Sequence, residues 1–539
     1  MKGIQPMKRT LRVMVGIAAV TAATVSCSAG GGGTGERAVV SGGTLTLAVP
    51  VDLGSLDPHK SATNANAVAS TLAYDTPLSL DSKNEPVPGV VTAWRNEPGS
   101  GAWVLTVRPG VTCSDGSPLD AKTVADNINY VANPENGSPF TGLAVQAGTT
   151  AVGDVAAGSV AVTSSSPAPF FIQNLSLLQL VCAPGLANRD LLTSGSSGSG
   201  AYVVSQNVPG DHVTFTLRKG YSWGPADHPG TDVEGIPETV VVKTVTDPTT
   251  TANLLLNGQL NAASVVGSEQ KRLKGAGLFS AGPSNLNDEL VFNQAAGNPG
   301  ADVDVRRALV MALDLGQLSA VNSGGLGGPA AGLLPVPRIC PGDVMTGSTP
   351  AHDTGQAKAL LDRSGWAVGP DGVRAKGGAR LTLSLLHLSN QPQTSASAEY
   401  IASRWKEVGV EVTLDQRPSD QVASGLLGGT VSWGAALIII NVSTPAALAP
   451  FFSGTTPPNG QNFAAIANDR YRSLSEQAVV KTGTEGCADW NAAEAALIGS
   501  ADVTPLSMSP NLWWGKNATF AVNDATNTIV PTSMRLLAP

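Results

Sequence analysis

The chain has 539 residues, 42% of them hydrophobic and only 14% charged, with a formal net charge of −8. That length exceeds what one hydrophobic core organises and implies at least two lobes. The acidic balance argues against nucleic acid or an anionic membrane surface as the main partner, because both reward clustered Lys and Arg.

At the N-terminus, Lys2, Lys8, Arg9 and Arg12 surround the start of an apolar or small run, LRVMVGIAAVTAATV, and no acidic residue precedes Glu36. A charged start, a short apolar stretch and a small-residue exit are the layout of a secretory signal, read here as residues 1–26. The stretch is too short and too rich in Thr and Ala for a membrane span. The cleavage zone Thr24-Val25-Ser26-Cys27 resembles a bacterial lipobox, with Thr24 where Leu is usual, which would make Cys27 the lipid-bearing first residue of the mature chain. The Gly-rich residues 27–41 then read as a flexible tether. Four cysteines remain, Cys113, Cys182, Cys340 and Cys487. An even number in an exported chain suggests two disulfides, with three possible pairings. None has CxxC spacing, which leaves zinc, haem attachment and thioredoxin chemistry poorly supported.

Downstream the pattern alternates between strand and helix. GTLTLAVP (43–50) alternates apolar and polar residues as an opening strand, and WVLTVRPG (103–110) is a second strand ended by Pro109-Gly110. A turn, SDGSP, leads to the helix LDAKTVADNINYV, with Asp120 as cap and Val124 and Ile128 on one face. HVTFTLRKG (212–220) is a strand, and TTANLLLNGQL (250–260) a helix stopped near Gly258. DVRRALVMALD (304–314) and GQAKALLDRSG (355–365) are amphipathic helices, the second stopped by Gly365. ARLTLSLLHL, SAEYIASRWKEVG and VEVTLDQ then read as strand, helix and strand, and WGAALIIINV (433–442) has the length of a buried strand. This alternation predicts parallel sheets packed by helices.

The wording and order of these segments resemble the extracellular solute-binding proteins, family 5, of peptide- and nickel-type ABC importers. EPVPGVVTAWRNEPGSGAWVLTVRPGVTCSDGSPLDAKTVADNI (85–128) is similar to the family signature, with Cys113 where an aromatic is usual. GSGAYVVSQ (198–206) resembles its Gly-x-Gly-Pro-Tyr segment, with Ala201 for Pro. NLLLNGQLNAA carries Asn261 for an acid, and LVFNQAAGNPGADVDVRRALVMALD (290–314) is a close match. AKALLDRSGW, IASRWKEVGVEVTL and ADVTPLSM continue the series in family order to the C-terminal region. The resemblance implies a two-lobed α/β periplasmic-binding-protein-like fold of the large peptide-binding type, closing on solute in the cleft. Lobe I is expected to comprise 42–84, 190–288 and 504–539, with an inserted subdomain at 85–189 and lobe II at 289–503. Pairing Cys113 with Cys182 and Cys340 with Cys487 keeps each disulfide within one of these parts. Trp94 and Trp103 are expected in the core, and Arg306 and Arg307 on the surface or in ion pairs.

Catalytic chemistry finds no support. The five histidines are scattered without metal-binding spacing, and GSSGSG (195–200) lacks the frame of a nucleophile elbow. GGLGGP (324–329) is not a phosphate loop, since it has no Lys. The reading is therefore a non-enzyme without cofactor or metal. In peptide-binding relatives the segment comparable to WGAALIIINVSTPAALAPFF carries an Asp-rich loop that faces the peptide's ammonium group. Here Asn441, Ser443 and Thr444 stand in place of the acids, ahead of Pro445. A buried ammonium needs a charged, hydrogen-bonded partner, so a free peptide N-terminus is disfavoured relative to a capped peptide, sugar or lipid headgroup. The expected ligand-binding residues are Leu53, Tyr74, Trp433, Asn441, Ser443 and Trp513. The expected partners are a peptide or other small solute, a permease pair and the membrane, reached through a lipid anchor on its extracytoplasmic face, with the protein itself a monomer. The competing class is a cell-envelope regulatory or interaction lipoprotein on the same scaffold. An open polar cleft favours the first class; a plugged cleft beside an exposed apolar patch favours the second.

Overall fold

Strand Thr44–Val49 sits at the centre of a seven-stranded sheet, and its alternating residues feed two cores. Leu45, Leu47 and Val49 pack with Val240, Val242 and Phe215 on one face. Ala48 faces the other side, among Ala252, Leu255, Leu273 and Trp514. That second face is covered by helices Pro248–Leu256 and Glu269–Gly275. The sheet order is Phe279–Ala281, Trp513–Gly515, Ala262–Ser264, Thr44–Val49, Thr239–Thr244, His212–Leu217, Tyr202–Val208. This computed structural model describes residues 37–97, 101–389, 391–440 and 442–539; the predicted signal, Cys27 and Asn441 lie outside the described residues.

A second sheet organises the other lobe, in the order Glu411–Arg417, Thr382–Leu388, Ala435–Ile438, Glu289–Phe292, Val503–Pro505. Helices Val303–Met311 and Pro392–Glu407 pack on it, with Trp405 wholly buried against Phe292. Two antiparallel strands, Ser284–Leu286 and Ser507–Pro510, carry the chain from the first sheet to the second and back. In sequence between Thr44–Val49 and Tyr202–Val208, the strands Val91–Glu97, Ala102–Val107, Ser159–Thr163 and Thr150–Asp154 form a separate four-stranded antiparallel sheet. Helix Ala121–Ala132 covers it, and the Asp120 carboxylate accepts from Thr123 N–H at 2.9 Å as its cap.

The expectation of parallel sheets needs correcting. Thr44–Val49 is parallel to its two neighbours, and Thr382–Leu388 to its own, while the other pairings in both large sheets are antiparallel. The cause is connection length. Three residues join Tyr202–Val208 to His212–Leu217, too few for a crossover, and the returning C-terminal strands arrive from the opposite lobe. Ala435–Ile438 is also shorter than the apolar run around it.

The structure pairs Cys113 with Cys182 and Cys340 with Cys487. Trp103 is buried and Trp94 packs on the same core. Arg306 is in a buried ion pair with Asp502 at 2.7 Å, whereas Arg307 is exposed. No described helix is long and apolar enough to cross a membrane.

Candidate functional site

A cleft opens where the two crossing strands meet the lobes. Its outer chamber, about 190 Å³, is walled by Asn64, Asn84, Gln173, Asn174, Ser176, Leu177 and residues 524–527 from one lobe. Residues 335–337, Ile339, Ser443 and Thr444 form the facing wall, and Asn285 and Asn511 of the crossing region lie between. Six asparagines and one glutamine line it, and Asp524 is its one ionisable side chain among the described residues. A smaller inner chamber, about 80 Å³, shares Ser176 and Thr526 with the outer one and continues to Tyr74, Asp75 and Tyr221.

The inner chamber is built by the Gly198-Ser199-Gly200 segment. A side chain at Gly198 would meet the Ala73 carbonyl oxygen at 2.3 Å, and one at Gly200 would meet the Ala73 carbonyl carbon at 2.5 Å. Only glycine permits that approach, which brings Ser199 onto Asp75. The Asp75 carboxylate accepts from Ser199 Oγ at 2.7 Å, Tyr221 OH at 2.7 Å and Trp223 Nε1 at 2.8 Å. Burial pushes the Asp75 carboxyl above the usual carboxylate range, opposed by these three donors and by Arg218. Burial raises the Tyr221 phenol well above its ordinary value, and the Asp75 charge adds to that.

Asp524 differs. It lies between strands Val522–Asn523 and Thr528–Ile529, in a loop held from several sides. Asn523 Oδ1 accepts from Ala525 N–H at 3.0 Å and from Thr526 N–H at 3.3 Å. Asn64 Nδ2 donates to Thr526 O, and Trp513 Nε1 donates to Asn527 O at 3.0 Å. The carboxylate itself is half-buried, and burial alone raises its pKa.

The residues expected at the site are distributed unevenly. Ser443 lines the outer chamber and Tyr74 the inner one, where its hydroxyl accepts from Ser197 N–H at 3.3 Å. Trp513 has no exposed surface; it lies behind the cleft and holds the Asn527 carbonyl. Leu53 belongs to the core of the first lobe, and Trp433 packs against Phe463 in the second. Neither lines the two chambers. The asparagines, Gln173, Ser176, Leu177 and Asp524 were not anticipated; the polar Asn-Asp-Ala-Thr-Asn turn before the last strands was the one available signal, and it marks a loop without saying what the loop faces.

On the second lobe, Val442 belongs to an apolar hollow of about 290 Å³ with Leu426, Ile439, Ile440, Phe451 and Phe463. The next two residues, Ser443 and Thr444, belong to the cleft. The lobes also touch directly, once across the outer chamber and twice beyond it. Asn84 Nδ2 donates to Pro337 O, Asn96 Nδ2 to Thr482 Oγ1, and Gly483 N–H to Pro169 O, each at 2.7 Å. Among the described residues no three His, Cys, Asp or Glu side chains come together as a metal would require.

Comparison with known proteins accords with this architecture. The nickel-binding periplasmic protein of Escherichia coli K12 is 24% identical over 390 residues, covering 69% of this chain and 70% of its own. The glutathione-binding protein GsiB of Pectobacterium atrosepticum is 25% identical over 438 residues, covering 78% and 80%. A substrate-binding protein from Microbacterium hydrocarbonoxydans, solved with 4-hydroxybenzoate hydrazide, superposes with a TM-score of 0.69 at 25% identity, covering 92% of this chain and 99% of that one. The family model for bacterial extracellular solute-binding proteins, family 5 Middle, matches residues 85–459, and with the two-lobed fold around a polar cleft it establishes that the chain belongs to this family of non-enzymatic solute-binding proteins.

Proposed function

We propose that this protein is the membrane-anchored, extracytoplasmic solute-binding subunit of an ABC importer, and that it captures a small polar or amphipathic solute between its lobes by hinge closure. The observation that carries this reading is a cleft walled from both lobes by hydrogen-bonding amides and hydroxyls. A solute in it gains contacts on both walls only in the shut arrangement, so binding shifts the open–closed population. The bonds Asn84–Pro337 and Asn96–Thr482 are of the kind that closure makes and opening breaks. Ser443 and Thr444 on the second lobe supply neutral groups where peptide-binding relatives are acidic. The apolar hollow beginning at Val442 supports a solute with an apolar part. Relatives named for nickel and glutathione are consistent with small polar cargo. Cys27 is the proposed lipid anchor, the monomer the working unit, and a permease pair the receiver of the closed form.

The test is native mass spectrometry of the protein released gently from its own cells, followed by denaturation and small-angle scattering with and without the recovered molecule. The expected result is a stoichiometric small molecule whose return lowers the radius of gyration. In parallel, Cys27→Ser is expected to move the protein from the membrane fraction to the medium. A clean mass that no peptide or glycan pool shifts would overturn capture in favour of the regulatory lipoprotein.

A further inference from the structure

The outer chamber contains an unused charge. Asp57 is paired with Arg189, Asp502 with Arg306 and Glu494 with Arg338, and Asp75 is covered by three donors. Asp524 is carried into the cleft with no such match: among the described residues its carboxylate accepts no hydrogen bond and meets no cation. A carboxylate taken partly out of water without a partner costs free energy that a ligand can return. The loop that bears it is not loose. The Asn523 side chain ties it from within, Asn64 holds it at Thr526, and Trp513 holds it at Asn527. With its backbone braced before ligand arrives, the loop loses little freedom on binding, which favours a strong polar contact.

The chemistry around Asp524 selects the ligand's charge. The described lining offers no Lys, Arg or His to receive an anion, and the asparagines provide neutral donors and acceptors. An anionic solute would meet Asp524 uncompensated. A protonated amine would give it a charge-assisted hydrogen bond, about twice as strong as a neutral one. Its remaining N–H groups would find amide and hydroxyl oxygens within the same chamber.

We propose that Asp524 is the counter-charge for a cationic solute, and that the ligand class of this cleft is a protonated primary or secondary amine bearing neutral polar groups. The proposal rests on the solute-capture reading above. It places the carboxylate on the first lobe's C-terminal hairpin, on the wall opposite the neutral Ser443–Thr444 loop, and so reverses the expectation drawn from that loop that a free amine is disfavoured.

The experiment is calorimetry and thermal-shift measurement on the whole chain and on Asp524→Asn and Asp524→Glu. The probes are putrescine and its diol analogue, free and N-acetylated trialanine, trehalose and succinate. The expected result is that the amine-bearing probes bind the wild type at least tenfold more tightly than their neutral analogues. Asp524→Asn is expected to weaken amine binding roughly ten- to hundredfold, the scale of a hydrogen bond to a charged group. Asp524→Glu, which keeps the charge, should recover part of that affinity. Preferential binding of trehalose, the diol or succinate, or amine binding unchanged in Asp524→Asn, would overturn the role of Asp524 and leave solute capture standing. Binding of none of the probes would count against both readings together.

Discussion

The two chambers of the cleft each hold one aspartate, and the two are treated in opposite ways. Asp75 in the inner chamber is surrounded by donors that are themselves buried: Ser199, Tyr221 and Trp223. Three of its roughly four acceptor positions are taken by the protein, and its neighbours depend on it. Asp524 in the outer chamber has backbone bracing around it and no partner on the carboxylate. Both carboxyls are raised by burial, so burial alone does not separate a structural acid from a binding one. The distinction lies in whether the protein has already supplied the donors.

The largest expected effect breaks the inner chamber. Asp75→Ala strands three buried donors, each worth roughly 1–3 kcal/mol when unsatisfied, and the expected loss of unfolding free energy is about 4 kcal/mol. Guanidinium denaturation measures it, and a value within about 1 kcal/mol of wild type would erase the contrast between the two sites.

Acid should act on the same lobe with a similar but smaller effect. His59 is buried, bonded through Nε2 to Gln179 O at 2.7 Å, stacked on Tyr130, and close to the Asp57–Arg189 pair and Lys60. Burial lowers its pKa to about 4. The unfolded chain takes up this proton near pH 6.5 and the folded one only near pH 4, so stability is full above 6.5 and is lost as pH falls between the two. The amount is about 3 kcal/mol by linkage. Denaturation curves for wild type and His59→Gln across that window check it, and parallel slopes would count against a neutral buried His59.

The smallest expected effect belongs to the outer chamber. Asp524→Asn removes an unmatched charge and breaks no bond, so the ligand-free protein should stay within about 0.5 kcal/mol of wild type, on the stabilised side if it moves at all. A loss of about 2 kcal/mol would mean that Asp524 holds structure as Asp75 does.

Much of the scaffold was legible from local physics. The Asp120 cap, the turn at Asp115-Gly116 with Ser117 N–H bonded to Asp115, and the stop at Gly258 with φ of 79° need only neighbouring residues. Periodicity placed Thr44–Val49 as a strand and Ala121–Ala132 as a helix for the same reason. Strand direction was harder to read, because it depends on which distant segment arrives beside which. Ala262–Ser264 pairs with Trp513–Gly515 across some 250 residues of chain. Trp433 and Trp513, expected at the cleft from their places near the Asn441–Thr444 loop and the return crossing, fill interior volume in this structure, as large apolar side chains usually do.

What the sequence by itself determined was the set of local elements, the four cysteines available for bridging and, through ordered motifs, the family. These rest on caps, turns and alternation, whose partners lie within a few residues of one another. The tertiary structure alone decided the cleft. Asn64, Asn84, Ser443 and Asp524 share one chamber although hundreds of residues separate the first from the last, and all but Asn64, which opens helix Asn64–Ala73, stand on loops that carry no periodic pattern. The fate of each carboxylate was decided there too, since whether Asp75 is matched and Asp524 bare depends on donors delivered by other parts of the fold.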